Sequence, residues 1–173
     1  EVTLHVFSNK NHCLLCNETL SLIEQVAAQS EKVLVDHCEC DLNNAKAEQY
    51  SIERHPAIVI EGKAKGKVRF FGIPSGYEFS SLIQGIIDVS KGTELSLDEQ
   101  TVEAVQKIDK PVHLQVFVTP TCPYCPTAVQ IAHKFAILNE NITADMIEAT
   151  EFQELSMKYH VQGVPKTVIN ETT

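Results

Sequence analysis

Two Cys-x-x-Cys pairs, each followed by a proline 43 residues after its first cysteine, constrain this chain more than any other feature. Cys13 leads to Pro56, and Cys122 leads to Pro165. Under the shared offset of 109, Cys16 falls on Cys125, Asp36 on Asp145, Tyr50 on Tyr159, Ile52 on Val161, Val59 on Val168 and Ile60 on Ile169. The stretches Leu4-His5-Val6-Phe7 and Leu114-Gln115-Val116-Phe117 also match if the first copy carries one extra residue before its cysteine. Two short motifs can coincide by chance. A motif, an upstream strand, a tyrosine and a proline at equal distances do so far less easily, and the chain reads as one unit present twice.

Each copy reads as strand, Cys-x-x-Cys, helix, strand, short helix, proline, strand. In the first, Thr3–Phe7 is apolar and β-prone, and Leu15, Leu22, Ile23 and Val26 follow helical spacing. Val33–Val35 opens a second strand, Ala57–Ile60 and Val68–Phe71 flank a turn as a hairpin, and Tyr77–Val89 is helical in pattern. In the second, His113–Val118, Ile142–Ile147 and Lys166–Ile169 are strands and Pro123–Leu138 is a helix. Strands alternating with helices predict an α/β fold: two tandem units, each a mixed sheet flanked by helices. The units span 1–92 and 110–173, joined by a helical linker over 93–109 that contains Glu99–Lys107. The first copy continues 36 residues past its proline to Gly92, but the second has only 8. The second unit is therefore expected to be truncated, without its closing strand and last helix, since a bare edge strand is unfavourable.

The 173 residues carry a formal net charge of −9 and are 43% apolar, enough to build a core. Negative charge repels phosphate backbones and anionic lipid, so nucleic-acid and membrane partners are not expected. Six cysteines could suggest a disulfide scaffold, but two close pairs cannot staple distant parts of a chain.

A Cys-x-x-Cys where a strand gives way to a helix places the first sulfur near free amide N–H groups and the positive end of the helix dipole, which stabilise a thiolate. The second thiol, one turn on and more buried, can attack a mixed disulfide held on the first. That is thiol–disulfide exchange, with Cys13 and Cys122 as nucleophiles and Cys16 and Cys125 as resolving thiols. Pro56 and Pro165 begin short strands, a position that favours a cis bond and an open backbone edge for a substrate chain. His12 and His55, next to Cys13 and Pro56, would lower the Cys13 pKa if protonated; the alternative is a pair of solvated loop histidines. Cys38 and Cys40 are expected to be half-buried free thiols, because a bridge that close is strained and a zinc site with His37 is crowded. A zinc ribbon built from both Cys-x-x-Cys pairs is disfavoured by their separation. Glu18, Glu103 and the other carboxylates read as solvated helix faces. No phosphate loop or dinucleotide fingerprint appears, so electrons are expected from another protein or from glutathione.

Thr121-Cys122-Pro123-Tyr124-Cys125-Pro126 resembles the glutaredoxin active site, and Val164-Pro165 resembles the thioredoxin-fold cis-proline segment. Phe70-Phe71-Gly72-Ile73-Pro74, Val116-Phe117-Val118-Thr119-Pro120 and His133-Lys134-Phe135-Ala136 extend the likeness over essentially the whole chain. Together they resemble the glutaredoxin-like protein disulfide oxidoreductases with a double thioredoxin fold. The resemblance implies exchange on protein disulfides through Cys13, Cys16, Cys122 and Cys125, with Pro56, Pro165, Val164 and His55 lining the substrate edge. It implies no cofactor beyond the Cys13–Cys16 and Cys122–Cys125 disulfides, no metal, a thioredoxin-reductase-like flavoprotein or glutathione as donor, and a cytoplasmic setting. Three departures stand out: Leu14-Leu15 between the first pair of sulfurs, Phe7 and Val116 where thioredoxins proper keep a buried Asp, and the short second copy. Two other readings compete. One is the N-terminal electron-transfer module of the flavoprotein component of an alkyl hydroperoxide reductase, in which usually only the second unit keeps its cysteines. The other is a non-catalytic peptide-binding module.

Overall fold

The computed structural model describes residues 1–172. Its first copy runs β1 (Val2–Ser8), α1 (Cys16–Ala27), β2 (Val33–Glu39), α2 (Ala45–Gln49), β3 (Ala57–Glu61), β4 (Lys67–Phe71) and α3 (Phe79–Lys91). The linker holds α4 (Glu99–Gln106), started by the Asp98 carboxylate accepting from the Thr101 N–H at 2.8 Å. The second copy runs β5 (Val112–Val118), α5 (Cys125–Leu138), β6 (Ile142–Glu148), α6 (Gln153–Lys158) and β7 (Lys166–Ile169). In each copy the strand before the cysteines pairs parallel with the strand after the helix and antiparallel with the strand after the proline. The hairpin expected in the first copy is present as β3–β4.

Two boundaries differ from the sequence reading. Both active-site helices begin at the second cysteine, not at or just after the first. The Cys122 N–H is committed to the Thr119 carbonyl at 3.2 Å, which closes a turn ahead of the helix. Pro123 follows that turn, still ahead of the helix, and the helix proline is Pro126. The expected helix over 77–89 is divided into a single 3-10 turn, Gly76–Glu78, and α3.

Alternation along the central strands builds two cores. Leu4, Val6, Phe70, Val116 and Met146 face α1, α3 and α5 through Ile23, Leu82 and Val129. Phe7, Phe71, Phe117 and Ile147 face the other side, with Ala47 of α2 and Tyr159 beyond α6. Full burial of each large aliphatic side chain contributes about 1.5–3 kcal/mol.

The two copies share one seven-stranded sheet, ordered β2-β1-β3-β4-β6-β5-β7, because β4 pairs parallel with β6. Arg69 and Asp145 are register partners across that seam. Arg69 Nε and Nη2 donate to Asp145 Oδ1 and Oδ2 at 2.7 and 2.8 Å, while Nη1 donates to the Tyr50 and Ser51 carbonyls. A bidentate fork of this kind is the geometry in which a buried ion pair is worth most. The β3–β4 turn meets the end of α5, where the Lys65 and Gly66 N–H groups donate to the Ile137 and Ala136 carbonyls and satisfy the helix terminus. A Cβ at Gly66 would sit 2.1 Å from the Ile142 carbonyl oxygen, so only glycine permits this approach. His133 of α5 is buried, lies 3.1 Å from the Arg69 carbonyl oxygen and is pushed down by burial to a pKa of about 4.

His113 joins the seam, its Nε2 2.6 Å from Asp145 Oδ2 and its Nδ1 bonded to Glu171. Burial alone would lower its pKa, but the Asp145 hydrogen bond and charge outweigh burial and hold it above 6.5. Burial likewise opposes ionisation of Asp145, yet Arg69 and His113 hold that carboxyl below 3.8. The raised histidine stabilises the fold fully below its unfolded pKa and loses that contribution as pH rises through its folded value. The lowered aspartate contributes above its unfolded pKa and loses it as pH falls. The cluster is therefore strongest between pH 3.8 and 6.5, the ordinary values of the two groups. His113→Gln should remove the part of the stability decline that occurs above pH 6.5, read as the difference in urea midpoint between wild type and variant across pH. A constant difference across that range would exclude His113 as its source.

Candidate active site

Both Cys-x-x-Cys pairs open at the same end of the sheet. Cys13 and Cys122 follow the C-terminal ends of β1 and β5, and Pro56 and Pro165 precede β3 and β7, which run antiparallel to those strands. The His55–Pro56 and Val164–Pro165 bonds are both cis. Each pair is closed as its own disulfide, Cys13–Cys16 and Cys122–Cys125, so the four sulfurs stand as two separate couples.

At the second pair, Cys122 is 8% exposed and Cys125 is fully buried against the α5 core. Cys122 Sγ lies 3.8 Å from the Val164 carbonyl oxygen, which belongs to the cis bond to Pro165. Tyr124 projects beside them, 78% exposed. At the first pair, Cys13 is half-buried, Cys16 is buried and Leu14 is 91% exposed. Among the described residues Cys13 makes no sulfur–carbonyl contact like that of Cys122. The Pro56 carbonyl is engaged by the Gly72 N–H at 3.0 Å.

The surroundings of His55 disfavour the protonated form that would assist Cys13. Burial pushes the His55 pKa below 6.5, with only partial opposition from the Cys40 carbonyl and the Asp41 charge, so the ring is neutral and sits beside Cys40. A neutral imidazole adds no charge to hold a thiolate on Cys13. His12 is exposed, at φ 63°.

Cys38 and Cys40 are half-buried as expected, but they are bonded to one another and not free. Residues two apart in a regular strand are about 6.6 Å apart. Here the Cα atoms are 5.5 Å apart, because β2 ends at Glu39 and Cys40 has left the extended path. His37 points to the opposite face, with Nε2 2.6 Å from Ser8 Oγ, which removes it from any shared site with the two sulfurs.

The sequence reading also missed Glu78, which is no solvated carboxylate. It is buried, accepts from Ser81 Oγ at 2.8 Å through Oε1, and has no partner at Oε2 among the described residues. Burial pushes its pKa up to about 7. Its turn packs on α5, and the neighbouring Tyr77 N–H donates to the Pro120 carbonyl at 3.0 Å, just before Cys122. Gly76, at φ +60°, permits that approach, since a Cβ there would meet the Pro120 oxygen at 2.3 Å. The first copy thus anchors the turn that carries this carboxyl on the loop that leads to the second copy's cysteines. A signal was present: Glu78, Leu82 and Ile86 fall on one stripe at i, i+4 and i+8. A second raised carboxyl, Glu151, is held at about 7 by burial and accepts from the Ile73 N–H at 2.9 Å.

Residues 112–173 match the family model described as a thioredoxin domain. A protein disulfide oxidoreductase from Aeropyrum pernix superposes with a TM-score of 0.90 at 32% identity, covering 99% of this chain and 77% of that one. The AhpF component of the Enterococcus faecalis alkylhydroperoxide reductase superposes with a TM-score of 0.88 at 28% identity, covering 98% and 81%. The corresponding component of the Staphylococcus aureus alkyl hydroperoxide reductase is 33% identical over 122 residues, 69% of this chain and 23% of that protein. The chain spans 23% to 28% of the length of the curated relatives it matches.

Proposed function

We propose that this chain, which belongs to the glutaredoxin-like protein disulfide oxidoreductases of double thioredoxin fold, catalyses dithiol–disulfide exchange on protein substrates. The observation that carries this reading is Cys122 Sγ 3.8 Å from the carbonyl of Val164, at an open backbone edge before β7. A substrate chain pairing there as an added strand brings its disulfide to that sulfur. Reduced Cys122 attacks, and Cys125 resolves the mixed disulfide. Cys13–Cys16 either repeats this chemistry or relays electrons to the second pair. No cofactor beyond these two couples is required.

Cys125 is fully buried and must lose a proton to resolve the intermediate. Glu78 is the proton acceptor in this reading: near pH 7 about half of it is ionised, and its Oε2 has no partner among the described residues. Glu78→Gln is expected to slow turnover about tenfold or more and to flatten the pH–rate inflection near 7. Slower turnover with an unshifted pH profile would assign Glu78 a packing role only.

The test of the function is turnover itself: insulin-disulfide reduction by the full chain with dithiothreitol or glutathione as donor. No rate above that of the donor alone would leave a peptide-binding module as the reading. A second reading, an electron-transfer module serving a flavoprotein, is favoured by the likeness to the alkyl hydroperoxide reductase components. It uses the same exchange chemistry and differs in the donor. Faster reduction of Cys122–Cys125 by such a flavoprotein with NADH than by thioredoxin reductase or glutathione would favour it.

A further inference from the structure

We propose that Cys38 and Cys40 form a third redox couple, which exchanges an electron pair with Cys13–Cys16. This rests on the exchange chemistry proposed for the first pair.

The position supports it. Cys38 is the register partner of Phe7, and the Cys40 N–H donates to the Ser8 carbonyl at 2.9 Å, at the strand end from which the chain runs on to Cys13. Asn9 of that same loop donates to the Cys40 carbonyl at 3.5 Å and to the Asp41 carboxylate at 2.9 Å. His55, which precedes Pro56, is near the Cys40 carbonyl. An open cleft of about 300 Å³ lined by Asn9, Lys10, Asn11, Glu39, Cys40 and Asp41 leaves Cys40 approachable. Cys40 therefore sits beside the loop that leads to Cys13.

A stabilising role does not account for this bridge. A disulfide limits the unfolded chain in proportion to the loop it closes, and this one spans a single intervening residue. Half-buried sulfurs beside the loop that carries a dithiol are better placed for exchange than for stapling.

The exchange balances without any further reagent. The Cys13 thiolate attacks Cys40 Sγ, the bond between Cys38 and Cys40 breaks, and Cys38 leaves as a thiolate that takes up a proton. The Cys16 thiolate then attacks Cys13 Sγ and releases Cys40. Two thiols of the first pair become a disulfide, one disulfide becomes two thiols, and two electrons move. The first unit can thus hold two electron pairs, and the step runs backwards when Cys13–Cys16 is the more oxidised couple.

The test begins with the full chain carrying Cys16→Ser, Cys122→Ser and Cys125→Ser, reduced and then reoxidised, with non-reducing peptide mapping after iodoacetamide. A Cys13–Cys40 cross-link with label on Cys38 is expected. Label on Cys13 alone, with Cys38–Cys40 intact, overturns the proposal. In the Cys122→Ser/Cys125→Ser chain, glutathione reduction of Cys38–Cys40 should slow at least about tenfold when Cys13→Ser is added. An unchanged rate also overturns it. Reaction of Cys13 with a small aromatic disulfide separates the two claims. An inert Cys13 defeats the exchange reading of the first pair along with this one, whereas a reactive Cys13 that spares Cys38–Cys40 defeats the relay alone.

Discussion

Cys122→Ser is expected to bring insulin-disulfide reduction down to the rate of the donor alone, while Cys13→Ser lowers it only in part. A serine hydroxyl is not ionised near neutral pH and cannot form the mixed disulfide, so the step is lost outright. The ranking of the two sites follows from their surroundings. Cys122 faces the Val164 carbonyl, has Tyr124 exposed beside it, and lies at the loop where the buried Glu78 turn is anchored. Cys13 has exposed Leu14 next to it and a neutral His55 turned toward Cys40. Equal losses in the two variants would remove the ranking, and full activity in Cys122→Ser would remove the assignment of the nucleophile.

Asp145→Ala should be the most destabilising of the non-cysteine substitutions considered, at about 3–5 kcal/mol, because it strands a buried guanidinium. Both partners are buried, at 5% and 2% side-chain exposure, and a domain's net stability is only about 5–15 kcal/mol. The loss falls on the β4–β6 seam, so it should weaken the union of the two copies. Replacing the pair together, as Arg69→Met with Asp145→Leu, should cost less than Asp145→Ala alone, since no unpaired charge is then buried. It should not restore wild-type stability, because the Tyr50 and Ser51 carbonyls lose the Nη1 donor. Urea denaturation measures both. A midpoint for Asp145→Ala close to wild type, or a double variant as weak as the single, would contradict this account.

The features that depend on neighbours in sequence were legible. Alternation showed the strands, helical spacing showed α1, α3 and α5, and the Cys-to-Pro spacing showed two like units with a sulfur pair and a proline apiece. Helix starts were less so: whether Cys122 or Cys125 opens α5 depends on one N–H bonding back to Thr119, which composition does not encode. Cys38 and Cys40 were misread as free because a regular strand was assumed up to Cys40, and the chain bends at Glu39.

By itself, the order of amino acids determined the repeated unit, its paired sulfurs and the proline each copy carries at the same distance, since these follow from short-range spacing and side-chain type. Only the tertiary structure decided that the two copies share one sheet through β4 and β6, that Arg69 meets Asp145, and that the turn carrying Glu78 in one copy bonds through Tyr77 to the cysteine loop of the other. The reason is physical. Strand pairing between distant segments has no local periodicity, and a carboxyl's pKa is set by the burial that this pairing creates.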